Sequence, residues 1–258
     1  MNTIYYEEID STNAELRRLV ALCDMPNWST VWAGFQTAGR GQRGNTWESE
    51  RDANIAASLW VNNTNGNLNS YPFDLCVIAS VSVKHLLQHY LPSHKLFIKW
   101  PNDIFVEHKK ICGILIENEW SGNTLLGSII GIGINIQQLV FRGLPNATSL
   151  AIEVNKPLPP LVHILHQLQY ILQENYTKLL SNRTAIWDEY LGCLYLKDDQ
   201  FHPFEIRTSK QKKVVAAKVV TVDKSGALHL YIANTQKTET FAFKEVAYII
   251  NGTPEAKP

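Results

Sequence analysis

The sequence predicts an α+β fold, with a mixed, mostly antiparallel sheet flanked by helices and followed by a small C-terminal β-barrel of the SH3 type. Three observations carry this. Between residues 96 and 135 several apolar, strand-like runs follow one another with almost no helix between them, whereas parallel pairing would need crossover helices. Two long segments, FDLCVIASVSVKHLLQHYL and Leu161 to Leu180, instead carry apolar residues in a helical pattern. Beyond about Leu196 the texture changes to short strands separated by turn residues. A chain of 258 residues with 45% apolar content can bury one large core, or one plus a small one, and the change of texture divides it into 1–195 and 196–258.

Taken in order, TIYYEEI reads as the first strand and runs into DSTNAELRRLVAL, where Thr12 and Glu15 have the spacing of a capping box ahead of an apolar stripe. TVWAGFQ is a strand that leads directly into TAGRGQRGNTW, and NIAASLWV is the strand after it. LFIKW, DIFVEH, ICGILIENEW and TLLGSIIGIGINI follow the first long helix, with a turn at His108 to Lys110. Pro157, Pro159 and Pro160 precede the second, whose stripe is Leu161, Ile164, Leu165, Leu168, Ile171, Leu172, Tyr176 and Leu179. TAIWDEYLGCL is a further helix. FEIRT, VVAAKVVTVD, ALHLYIA and TETFAF are the C-terminal strands, DKSGA is a turn, and TPEAKP reads as a frayed tail.

Lys plus Arg and Asp plus Glu number 24 each, so no global charge attracts a nucleic acid or an anionic membrane. No run has the length of a membrane span and the N-terminus lacks a leader pattern; the expectation is a cytoplasmic protein with no nucleic-acid or membrane partner. Cys23, Cys76, Cys112 and Cys193 form no C-x-x-C pair and read as free buried thiols.

TAGRGQRGNTW contains G-x-G-x-x-G, but a dinucleotide loop needs a helix behind it. WESERDAN has no apolar helical face, and a strand follows. A P-loop would need lysine where Asn45 stands. What remains is either a plain surface connection or an anion-binding loop, with Gly39, Gly41 and Gly44 for close backbone approach, Arg40 and Arg43 for charge, and Trp47 as an aromatic face. KWPND, from Lys99 to Asp103, packs a cation, an aromatic, a proline and two oxygen-bearing side chains into a short stretch. Lys110 opens KICGILIE, and GIGIN adds a glycine pair. Singly, a type I turn and a packed strand would explain these motifs; together they ask for more.

In this order and spacing, DSTN, QTAGRGQRGNTW, KWPND, KKICGILIE, GIGIN and ATSL resemble the biotin protein ligases, from Tyr5 to about Ile250. The resemblance implies a catalytic domain related to class II aminoacyl-tRNA synthetases and lipoate ligases, then an SH3-like domain. It also implies two acyl transfers. MgATP activates biotin to biotinyl-5'-AMP with release of pyrophosphate, and a lysine of a biotin carboxyl carrier protein domain, part of a biotin-dependent carboxylase, then takes the biotin. ATP and biotin are substrates and Mg2+ accompanies them.

By the same resemblance Lys110, Arg40 and Asp103 are catalytic, and TAGRGQRGNTW closes over the adenylate. Biotin would meet Ser11, Thr12, Gln36, Gly39, Arg40, Gly41 and Lys110, with Gly113, Leu115 and Gly133 lining its slot. ATP would meet Arg40, Arg43, Trp47, Lys99, Asn102, Asp103, Lys110 and Asn135, and Asp103 would face the metal. Gln42 and Asn45 stand where many relatives carry arginine, which leaves the loop less charge. Some relatives also carry an N-terminal winged-helix domain; here the catalytic strand starts at about Thr3, so a ligase without its own transcriptional role is expected. A homodimer through sheet edges stays open. The rival readings are a lipoate or octanoate ligase and a noncatalytic biotin-binding sensor. Ser11, Thr12 and Gln36 favour a ureido ring over an alkyl tail, and Lys110 with KWPND favours catalysis over sensing.

Overall fold

The computed structural model describes residues 2–63, 73–154, 156–207, 212–250 and the backbone of 253–254; the side chain of Arg43 is outside that set. β1 (Thr3–Ile9), α1 (Thr12–Leu22), β2 (Thr30–Gln36) and β3 (Asn54–Asn62) come first, then α2 (Asp74–Tyr90), β4 (Leu96–Lys99), β5 (Asp103–Val106), β6 (Lys109–Ser121) and β7 (Thr124–Asn135). After them come α3 (Leu150–Glu153), α4 (Leu161–Ser181) and α5 (Arg183–Gly192). The chain continues with β8 (His202–Arg207), β9 (Lys212–Val222), β10 (Leu228–Ile232), β11 (Lys237–Phe241), β12 (Val246–Ile250) and β13 (Thr253–Pro254).

The first seven strands form one sheet in the order β1-β2-β3-β7-β6-β5-β4. Only β1 and β2 are parallel, so the mixed, mostly antiparallel expectation holds. Strand alternation gives this sheet two unlike faces. On one, Cys112, Ile114 and Ile116 of β6 stand opposite Ile134, Ile132 and Ile130 of β7 and join the main core with α2 and α4. On the other, Gly113 pairs with Gly133 and Leu115 with Gly131, while β3 continues the rows with Ala56 and Ser58. α1 covers part of that second face through Leu16, packed with Val31, Trp60 and Ile129. The rest is left for a site.

The remaining strands form an antiparallel sheet in the order β11-β10-β9-β8-β12-β13. The expected barrel is not closed among the described residues: β11 pairs only with β10, and the two-residue β13 pairs only with β12. Thr253–Pro254 is therefore paired strand rather than part of a frayed tail, and residues 255–258 lie outside the described set. Two more expectations are corrected. The α1 N-cap is Ser11, which accepts the Ala14 N–H, because the Thr12 hydroxyl is taken by Gln36 and Ser58 instead. All four cysteines are free, as expected, but Cys23 is exposed and Cys193 only partly buried, since both stand at helix ends.

α2 and α5 brace the turn between β4 and β5, whose Trp100–Pro101 peptide is cis. The Pro101 carbonyl accepts from the Cys76 thiol at 3.1 Å and from the Tyr190 hydroxyl at 3.2 Å. Burial pushes the Cys76 thiol up to about 12, so it stays a neutral donor. The two helices are joined by buried Asp74, which accepts from Arg183 at 2.8 Å and from the Trp187 indole at 2.7 Å. Asp74→Ala would leave the buried Trp187 indole N–H without this acceptor and remove one ion pair of the partly exposed Arg183, and should lower unfolding free energy by about 1–3 kcal/mol in urea titration.

Candidate active site

The glycine-lined face becomes a cavity because Gly113, Gly131 and Gly133 send no side chain from it. A Cβ built at Gly133 would collide with the Trp47 indole, and one at Gly113 would lie 3.0 Å from the same ring. The missing side chains let the ring descend onto the sheet. Around it lies a cavity of about 600 Å³, bounded by the Arg40–Glu48 segment, the β4–β5 turn, residues 143–147 and the second sheet.

TAGRGQRGNTW folds as a small hairpin over this cavity. The Trp47 N–H donates to the Gly39 carbonyl at 2.9 Å and the Gly41 N–H to that of Asn45 at 2.7 Å, around a single 3-10 turn, Gln42–Gly44. Gly44 has φ of +91°, a conformation that disfavours other residues. At Gly39 a Cβ would strike the Trp47 carbonyl, so the hairpin could not close with a larger residue there. Gln42 and Asn45 both line the cavity, and Arg40 sends its guanidinium to within 3.6 Å of Glu117. The Arg43 side chain lies outside the described residues.

The charged part of the site comes from the two ends of KWPND and from Lys110. β4–β5 pairing sets Lys99 opposite Asp103, and β5–β6 pairing, with a register shift after Ile104, brings Lys110 alongside. Lys110 Nζ lies 2.7 Å from one Asp103 oxygen, and Lys99 Nζ lies 3.6 Å from the other. Lys110 also stands 5.7 Å from the centre of the Trp47 ring, and Lys99 stands 5.5 Å from that of Phe105 and 5.3 Å from that of Tyr248. The backbone N–H of Lys110 donates to the Asn146 carbonyl at 2.7 Å, fixing where its side chain starts. Burial alone would raise the Asp103 carboxyl, but Lys110 and Lys99 outweigh it and hold the group below the ordinary range. Two ammonium groups against one carboxylate leave the cluster positive, suited to a phosphate.

A second, neutral group, Ser11, Thr12 and Gln36, lines the same cavity. Gln36 Oε1 accepts from the Thr12 N–H at 2.8 Å and lies 3.1 Å from the Thr12 hydroxyl oxygen, which also meets the fully buried Ser58 Oγ at 2.7 Å. Ser11 adjoins them at the start of α1. Asn102 and Asn135 are in the cavity wall but spend their amide nitrogens on the backbone, at the carbonyls of Ile114 and Thr148. Leu115 also lines the cavity.

The structure thus brings every described candidate from the sequence to one cavity or to the hairpin that covers it. It adds residues the sequence reading passed over: Asn13, Phe141, the segment 143–147, and Arg207, Phe243 and Tyr248 around the second sheet, with Ser58 behind Thr12 and Glu117 facing Arg40. Asn13 and Glu117 ended motifs already quoted, DSTN and KICGILIE. The second-sheet residues carry no local signal, because only the packing of the two sheets delivers them.

The biotin protein ligase from Aquifex aeolicus, solved with biotin and ATP, superposes with a TM-score of 0.76 over 95% of this chain and 97% of that one, at 21% identity. The family described as Biotin/lipoate A/B protein ligase matches residues 5–135. A biotin–[acetyl-CoA-carboxylase] ligase of Paracoccus denitrificans is 31% identical over 70% of this chain and 71% of its own length. The bifunctional ligase/repressor BirA of Bacillus subtilis is 34% identical over 52% of this chain, but the match spans only 40% of that protein. The chain belongs to the biotin/lipoate A/B protein ligase family.

One acid-range consequence follows from Asp103. Because its folded pKa is depressed, the pairing stabilises the protein above the unfolded value of about 3.9 and is lost as pH falls through the lower folded value. Asp103→Asn should therefore be less stable than wild type near neutrality, and the gap between their urea midpoints should shrink on acidification toward pH 3.

Proposed function

We propose that this protein is a biotin protein ligase that makes biotinyl-5'-AMP from biotin and ATP and passes the biotin to a carboxylase carrier lysine. The observation that carries this reading is the meeting, in one cavity, of the Lys99–Asp103–Lys110 cluster and the neutral Ser11–Thr12–Gln36 group. The named activity of the Paracoccus relative supports it. The same reading takes 1–195 and 196–258 as domains, following the two sheets.

In the first step a carboxylate oxygen of biotin bonds to the α-phosphorus of ATP as the bond to pyrophosphate breaks. Two anions must approach each other, and Lys110, with Lys99 beside it, supplies the charge that offsets their repulsion. Asp103 holds both lysines in place. The ureido ring needs donors and acceptors at fixed positions in an otherwise apolar slot, which Ser11, Thr12 and Gln36 provide, with Ser58 fixing Thr12 from behind. Trp47 gives the adenine an aromatic wall, and Arg40 and Arg43 give the hairpin a reason to close on the adenylate and exclude water. In the second step the carrier amine bonds to the acyl carbon and AMP leaves. Asp103, held ionised by two lysines, orients groups there and is a poor base.

Among the described residues no group of three or more His, Cys, Asp or Glu gathers as a metal site, and the Asp103 oxygens are already in contact with ammonium groups. A resident magnesium site does not fit. Magnesium fits instead as the counterion of the nucleotide's phosphates, which usually supply most of its ligands besides water.

No described helix is long and apolar enough to cross a membrane. A lipoate ligase would leave Ser11, Thr12 and Gln36 facing an alkyl tail. Biotin-dependent ATP–pyrophosphate exchange, followed by transfer of labelled biotin to a carrier domain with a lysine-lacking carrier as control, tests the reading; exchange with lipoate in place of biotin would overturn it. Lys110→Ala should lower the exchange rate by roughly 10²–10³-fold while biotin binding survives, and near-normal exchange would remove Lys110 from this role.

A further inference from the structure

Glu117, which the proposed chemistry does not use, closes a polar chain. It begins at Gln36, which accepts the Thr12 N–H at 2.8 Å; the Thr12 hydroxyl can then donate to Ser58 Oγ, 2.7 Å away, and the Ser58 hydroxyl donates to Asn13 Oδ1 at 2.5 Å. With its oxygen engaged, the Asn13 amide must turn its nitrogen the other way, where it donates to Glu117 Oε2 at 2.7 Å. The same Glu117 oxygen faces Arg40 of the hairpin at 3.6 Å, and the other lies 3.1 Å from Arg17 of α1. Gly131 makes this route possible, since a Cβ there would collide with Asn13. Asn13 is buried, so its amide has no water to turn to. Burial alone would raise the Glu117 carboxyl; Asn13, Arg17 and Arg40 together lower it, so it stays ionised at neutral pH. Glu119 makes a useful contrast: it pairs with Arg17 at 2.7 Å, and the ion pairs described for Arg40 include Glu117 alone.

We propose that Glu117 is a positioning residue that latches the glycine hairpin through Arg40 and ties that latch, by way of Asn13 and Ser58, to the side chains proposed to hold the ureido ring. The ring pocket and the lid then share one hydrogen-bonded frame, and the lid arginine is held beside the cavity before the adenylate forms. This rests on the ligase reading for its consequence, but the latch itself is a property of the unliganded protein. The Arg40 side chain is 41% exposed and that of Glu117 21%, so the effect is modest, within the range of partly solvated ion pairs.

The test compares Glu117→Gln, which keeps the acceptor for Asn13 and the side-chain volume, with Glu119→Gln. In the protein without ligands, amide hydrogen exchange at Gly41 and Trp47 should be about two- to fivefold faster in Glu117→Gln and unchanged in Glu119→Gln. Release of biotinyl-adenylate, measured without acceptor, should accelerate by a similar factor in Glu117→Gln. Combined with Arg40→Ala, Glu117→Gln should add nothing to the release rate. Unchanged amide exchange, equal acceleration in both single variants, or additivity with Arg40→Ala would overturn the latch. A wild-type protein with no biotin-dependent pyrophosphate exchange would overturn the ligase reading instead, and the amide exchange would still decide the latch.

Discussion

The site depends on an asymmetry between the two faces of β6 and β7. Isoleucines fill the helix side and tie the sheet to α2 and α4, while glycines on alternate positions empty the other side. A one-residue slip of register would exchange these faces, burying the glycines and exposing the isoleucines to water. The hydrophobic core thus fixes where the cavity can be. Trp47 reaches the sheet only because Gly113 and Gly133 leave room, and Asn13 reaches Ser58 and Glu117 only because Gly131 does.

Above that floor the polar contacts run in two chains. Lys99 and Lys110 share Asp103, and Gln36, Thr12, Ser58 and Asn13 lead to Glu117. Such pairing keeps buried polar groups from costing stability before a ligand arrives. It also fixes their orientation, so a ligand meets groups already turned toward it and less ordering remains to be done on binding.

How much of this the sequence revealed depended on how local the cause was. The helix and strand pattern of residues 3–135 was legible because alternation and helical stripes are properties of neighbouring residues. The glycine hairpin was separated from a dinucleotide loop by the strand that follows it, again a local fact. Lys110 and the KWPND lysine and aspartate were legible as motif residues, though their mutual pairing was not, since it depends on the register of three strands. The α1 cap was misplaced by one residue because Thr12 finds a better partner in Gln36, far away in sequence. The second antiparallel sheet agrees with the small C-terminal domain that the strand count suggested, but pairing of its edges depends on residues distant in sequence, and among the described residues β11 and β13 do not pair with each other.

The contact between Lys99 and Tyr248 joins residues far apart in the chain, and so orders events in time. Lys99 and Lys110 are made early, together with the glycine floor, whereas the aromatic ring beside Lys99 belongs to β12 and is made among the last strands. Until β12 is in place, the pocket around Lys99 and Lys110 lacks one wall, and it is finished only when the second sheet has folded onto the first.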